Sequence, residues 1–158
     1  MRFTWKSGPV LAGQLVYCQA EYSFDFVPRE NELNSRVRGS RTGSISIGTL
    51  QLEVSVETGE ILFPWGLFPH TRWTDRVMVP PNTCPGRLFL ADISVLVPGA
   101  AVDLPGGTEW QTHFRRESGW LYTGVGDTAD VIVEFAANAG ASLTNEQLTG
   151  LWLKPIRE

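Results

Sequence analysis

Histidine and cysteine are scarce in this chain, with two of each among 158 residues, and long apolar runs are missing altogether. Two cysteines make no disulfide framework, which in small secreted domains takes four or more. Both are expected as free thiols of a reducing cytosol. Cys18 reads as a small buried hydrophobe on an apolar strand face with Val16 and Ala20, and Cys84 falls in the turn-rich run Pro80 to Gly86. The histidines and cysteines, at positions 18, 70, 84 and 113, are too scattered for the ligand spacing of a zinc site. No metal and no other cofactor is expected.

No window approaches the ~20 apolar residues of a membrane helix. The opening Met1-Arg2-Phe3-Thr4-Trp5-Lys6 has no apolar signal core. A cytoplasmic chain with no membrane partner is the expectation. A nucleotide loop is missing too, since Gly124-Val125-Gly126 has no third glycine and no following helix to hold a phosphate. The run Gly39-Ser40-Arg41-Thr42-Gly43 puts its serine one place away from a nucleophile elbow. Gly126 to Asp130 lacks the alternating ligands of a calcium loop and reads as a turn.

A formal net charge of −4 disfavours a phosphate backbone as partner. One basic cluster, Arg29, Arg36, Arg38 and Arg41 within Pro28 to Gly43, has no interleaved aromatics and reads as a solvated loop. No nucleic-acid partner is expected.

What is abundant is turn chemistry and alternation. The chain has 16 glycines and 10 prolines, spread without low-complexity tracts, and 42% of its residues are hydrophobic. From Val16 to Val27, apolar residues at Val16, Cys18, Ala20, Tyr22, Phe24 and Phe26 alternate with polar ones, which predicts one long strand stopped by Pro28. Leu50, Leu52, Val54 and Val56 alternate likewise, and Thr58-Gly59 turns the chain into Ile61-Leu62-Phe63, a hairpin. Ile45 and Ile47 are in the opposite phase, so a bulge or bend is expected at Gly48. Further strands are expected over Arg87 to Val97, Thr108 to Arg115, Trp120 to Thr123, Val131 to Phe135 and Leu148 to Leu153. His113 falls on the polar face of its strand. Thr144 to Gln147 reads as a turn or a single helical turn.

No stretch of twelve or more residues carries a helical stripe. One all-β domain over residues 1–158 follows, an antiparallel sandwich or partly open barrel with little helix, its strand content at least three times its helix content.

The least regular apolar segment is Pro64-Trp65-Gly66-Leu67-Phe68-Pro69-His70-Thr71-Arg72-Trp73. Its prolines and glycine break strand register, and Trp and Arg are favoured in interaction hot spots. Trp65, Phe68, His70, Arg72 and Trp73 are therefore the candidate binding residues. The opposing expectation is that this segment plugs the end of the core.

The run from Leu52 to Phe63, followed by Trp65-Gly66, and the tail from Val133 through Leu151-Trp152-Leu153-Lys154-Pro155 resemble stretches of small bacterial proteins of unknown function. Some such proteins look like immunity proteins that accompany polymorphic toxins. The resemblance implies a toxin-like protein partner and carries over no functional residue.

A non-enzymatic interaction domain is thus the first reading. A small-ligand or carbohydrate binder using the rings of Trp65, Trp73 or Trp110 is its rival. A hydrolase whose site only the fold assembles is a third. Nothing in the sequence specifies an oligomeric state.

Overall fold

The computed structural model describes residues 1–37 and 40–158. Strand makes up 51% of the chain and helix 9%, as alternation without helical periodicity predicts. Arg38 of the basic cluster and Gly39 of the serine run lie outside the described residues.

The chain runs through β1 (Phe3–Ser7), β2 (Gly13–Cys18), β3 (Ser23–Pro28) and the short α-helix α1 (Glu32–Arg36). It continues through β4 (Thr42–Ile47), β5 (Leu50–Ser55), β6 (Glu60–Leu67), β7 (Thr74–Asp75), β8 (Cys84–Leu90) and β9 (Ala101–Asp103). It ends through β10 (Gln111–Phe114), β11 (Leu121–Gly124), β12 (Val131–Ala136), β13 (Ala139–Thr144), β14 (Gln147–Leu153) and β15 (Ile156–Arg157).

These strands form a curled, half-open barrel. The N-terminal half contains β2, β3, β6, β5, β4 and β9, and the C-terminal half β12, β13, β14, β11, β10 and β7. Strand β8 belongs to both. Its first residues pair in parallel with β12, while Gly86–Leu90 pair antiparallel with β1 and Ile61 of β6 pairs with Leu88. On the far side, the tail strand β15 lies parallel to β2, and Leu11 bridges to Ala136. One core fills the space between the halves, with Phe3, Tyr17, Phe24 and Leu88 meeting Phe135 and Leu151. Among the described residues, no helix is long and apolar enough to cross a membrane.

The hairpin read from Leu50 to Phe63 is present, with Gly59 in the left-handed conformation its turn requires. Two features are sharper than the alternation suggested. Gly48 with Thr49 forms the tight turn of a β4–β5 hairpin rather than a bend, which reconciles the opposite phases because both arms face the core. The single strand expected over Val16 to Val27 is a hairpin, β2 and β3, turned at residues 19–22 with Tyr22 at positive φ. The turn inverts the phase. Leu15 and Tyr17 enter the core from β2 and Phe24 and Phe26 from β3, so Cys18 sits half-buried on the other face instead of in the core.

Two further expectations shift. The expected strand Arg87 to Val97 ends at Leu90, and Ile93–Val95 forms a 3-10 turn. Cys84 begins β8 rather than sitting in a turn, and it is exposed.

The basic segment is also less solvated than expected. No α1 residue counts as buried, but the Arg36 side chain reaches a carboxylate that is 1% exposed, Glu60. Arg36 Nη1 donates to Glu60 Oε2 at 3.0 Å and Nη2 to the Pro9 carbonyl at 2.6 Å. Arg87 completes a bidentate pair with Glu60 at 2.8 and 2.6 Å. That pairing holds the Arg87 guanidinium above its ordinary value, against burial. A buried carboxylate is tolerable because both oxygens are matched by cationic donors.

Candidate functional site

Where β3, β5 and β6 meet the 3-10 turn His70–Arg72, the surface opens into two adjoining basins of about 560 and 280 Å³. Both are lined by Gly48 and Thr49, the turn between β4 and β5, so the two basins adjoin at that turn and together make up a furrow.

The larger basin exists because β3 pairs with β6 only at Ser23 and Phe24 and then diverges. Trp65, 37% exposed, stands on its rim opposite Gln51 of β5. Gly66, at positive φ, lets the chain pass close to the turn, since a Cβ there would lie 3.0 Å from the Thr49 carbonyl oxygen. The Trp65 ring is fixed, its Nε1 donating to Glu53 Oε1 at 3.3 Å. Glu53 also accepts from Thr42 Oγ1 at 3.1 Å. Burial pushes the Glu53 carboxyl above its ordinary value, and these two donors pull against it. The Gln51 amide is oriented too, its Oε1 accepting from Ser44 Oγ at 2.5 Å, which leaves its NH2 to donate elsewhere.

The smaller basin lies between the two halves of the barrel. Phe68 and Trp73 come from one side and Trp110 and Gln111 from the other, with Arg72 at the edge. Gly107 makes the junction close, because a Cβ there would lie 3.2 Å from Ile47 Cα. Trp73 is packed rather than free. Its ring lies 4.8 Å from Tyr17, 5.3 Å from Phe114 and 6.2 Å from Phe68, and the Arg157 guanidinium sits 5.7 Å above it. The same guanidinium lies 5.1 Å above Phe114, so the tail strand holds the wall from behind. Trp73 Nε1 is buried without an acceptor among the described residues.

Of the five residues singled out in sequence, the structure brings Phe68, Arg72 and Trp73 into one basin and Trp65 into its neighbour. His70 lines neither. It stacks on Tyr22 at 5.1 Å, behind the Tyr17 hydroxyl that donates to the Phe68 carbonyl at 2.7 Å. The plug reading describes Phe68 and Trp73, which pack against the core, and Trp65 remains on the surface. Gln51, Thr49 and Gln111 were not singled out in sequence. Gln51 and Gln111 show there only as polar residues alternating with apolar neighbours, as every solvated strand face does, and Thr49 only as a neighbour of Gly48.

Among the described residues, no three of His, Cys, Asp and Glu gather as a metal-binding group. No family model matches this chain, and no curated protein is similar to it.

Proposed function

We propose that this protein is a binding domain whose furrow takes up a carbohydrate-class ligand. The observation that carries the reading is the composition of the furrow. The rings of Trp65 and Trp110, with the packed Trp73 between the barrel halves, line it together with planar hydrogen-bonding groups at Gln51 and Arg72. A sugar ring has an apolar C–H face and a hydroxyl edge. It is matched by an aromatic ring held still beside amide or guanidinium donors. Trp65 and Gln51 are both oriented by hydrogen bonds before any ligand arrives, which lowers the entropy that binding must overcome.

Screening the protein on an immobilised glycan panel tests this directly. Binding of one glycan class is expected, weakened about tenfold or more by Trp110→Ala or Arg72→Ala. A panel with no ligand, or binding that both variants leave intact, overturns the reading.

A second reading, a protein partner of the immunity type that the resemblance implies, is favoured by one observation. Tyr22, Trp65 and Leu67 leave apolar surface exposed along the same rim, Leu67 at 55%. Under that reading no glycan binds, and the same rim substitutions abolish a protein complex instead.

A further inference from the structure

Alternation along β10 sends Thr112 toward the furrow and its neighbour His113 to the opposite face, where a second recess opens. It has two chambers of about 370 and 310 Å³, and Arg76, Tyr122 and Asp127 line both. The Arg76–Asp127 ion pair, Nη2 to Oδ2 at 3.2 Å, thus stands on their common border.

The aromatic part of this recess is built by glycine. A Cβ at Gly150 would fall 2.4 Å from the Tyr122 ring, and one at Gly124 would fall 2.6 Å from its hydroxyl, so the ring covers both positions. Its hydroxyl donates to the Gly126 carbonyl at 3.0 Å. Trp152 packs 4.7 Å away and is held by Nε1 donating to Ser142 Oγ at 3.2 Å. Trp120 stands edge-on to Trp152, and Lys154 Nζ lies 5.9 Å above the Trp120 ring. One end of this aromatic row therefore already holds an ammonium group.

The other end has more acidic than basic side chains. The first chamber is lined by Glu109 and Asp127 against the one guanidinium of Arg76. Glu109 takes part in no ion pair among the described residues. Burial, and then the nearby Arg76 charge, keep His113 below its ordinary value, so it adds no positive charge near neutrality. The second chamber adds an apolar wall of Val77, Val79 and Ile132. Val77 and Val79 are 77% and 83% exposed, an apolar edge left in water.

We propose that this recess binds an alkylammonium group, its charge beside Asp127 and Glu109 and its alkyl body along Val77, Val79 and Trp152. An anion would meet two carboxylates, and a purely apolar molecule would gain nothing from them. Gln111 lines both this recess and the furrow, but the carboxylates and the valine wall of the recess lie outside the furrow, so the proposal does not depend on the furrow's ligand.

Heteronuclear NMR tests it, with hexylammonium chloride as probe and hexanoate and 1-hexanol as controls of equal length. Saturable shifts are expected at the Trp152 indole N–H and at Gly126, with affinity at least tenfold weaker in the isosteric double variant Glu109→Gln/Asp127→Asn. A Val77→Ser/Val79→Ser variant, altered at two exposed positions, should weaken the same probe. Hexanoate or hexanol binding as tightly as the amine, or hexylammonium binding unchanged in both variants, overturns the proposal. Titration with N-acetyl-lysine methylamide separates the sources. Affinity equal to that of hexylammonium assigns the site to a partner's lysine, and much weaker binding assigns it to a free amine.

Discussion

Trp65 and Trp73 come from one proline-broken segment, yet their surroundings are opposite. Trp65 is held at one point, by a carboxylate, with its ring on the rim. Trp73 is enclosed by three aromatic rings and a guanidinium. The difference teaches that a dense aromatic stretch is neither wholly a hot spot nor wholly a plug. Where β6 still pairs with β5, alternation puts Trp65 outside; once the strand ends at Leu67, the chain turns inward and Phe68 and Trp73 close the gap between the halves.

The contrast can be broken at its foundation first. Strand β6, which carries Trp65, begins at Glu60, the carboxylate clasped by Arg36 and Arg87. Removing it leaves two guanidiniums unmatched, so Glu60→Ala should cost about 3–5 kcal/mol, read from the urea midpoint. A loss under about 1 kcal/mol would mean that water replaces the pair and that β6 is not anchored there. Next, Trp73→Ala should cost about 3 kcal/mol, because its ring is packed on several sides. A change as small as that of a surface residue would place Trp73 with Trp65 and erase the distinction.

The Glu53 carboxyl beneath Trp65 gives a smaller effect with a definite sign. Its folded value is raised by burial, so its contribution to stability is fully present below the ordinary 4.5 and is lost as pH rises through the folded value. Glu53→Gln should flatten that fall on the alkaline side of 4.5, as measured by urea midpoints across pH. An unchanged profile would mean that the carboxyl is well solvated and does not hold the ring. The smallest stability effect belongs to Trp65→Ala, expected within about 0.5 kcal/mol of the parent, as for other surface positions.

Alternation foretells the strands where turn residues agree with it and misleads where turn or apolar signal is missing. The hairpin of β5 and β6 was legible because alternation and a Thr-Gly turn agree. The β2–β3 hairpin was hidden, since apolar residues at even positions run unbroken through the turn at residues 19–22. Strand β13 has no alternation signal for a different reason. Ala139, Gly140 and Ala141 carry little apolar signal, yet they are buried under β12 and β14. The site divides the same way. Trp65, Phe68, Arg72 and Trp73 stood out by residue type alone. Gln51 and Gln111 join them only through strand pairing and the approach of Gly107 to Ile47, which no short window of sequence displays.

The central claim is that the furrow binds a sugar through rings that are held in place before the ligand comes. Isothermal titration of the selected glycan into the parent and into Trp65→Ala, with a thermal melt of each, tests it most directly. The account predicts melts that overlay and an affinity about thirtyfold weaker in the variant, the loss of one exposed anchor. Equal affinities with overlaid melts would contradict it, because Trp65 would then be an idle ring on a surface that binds nothing there.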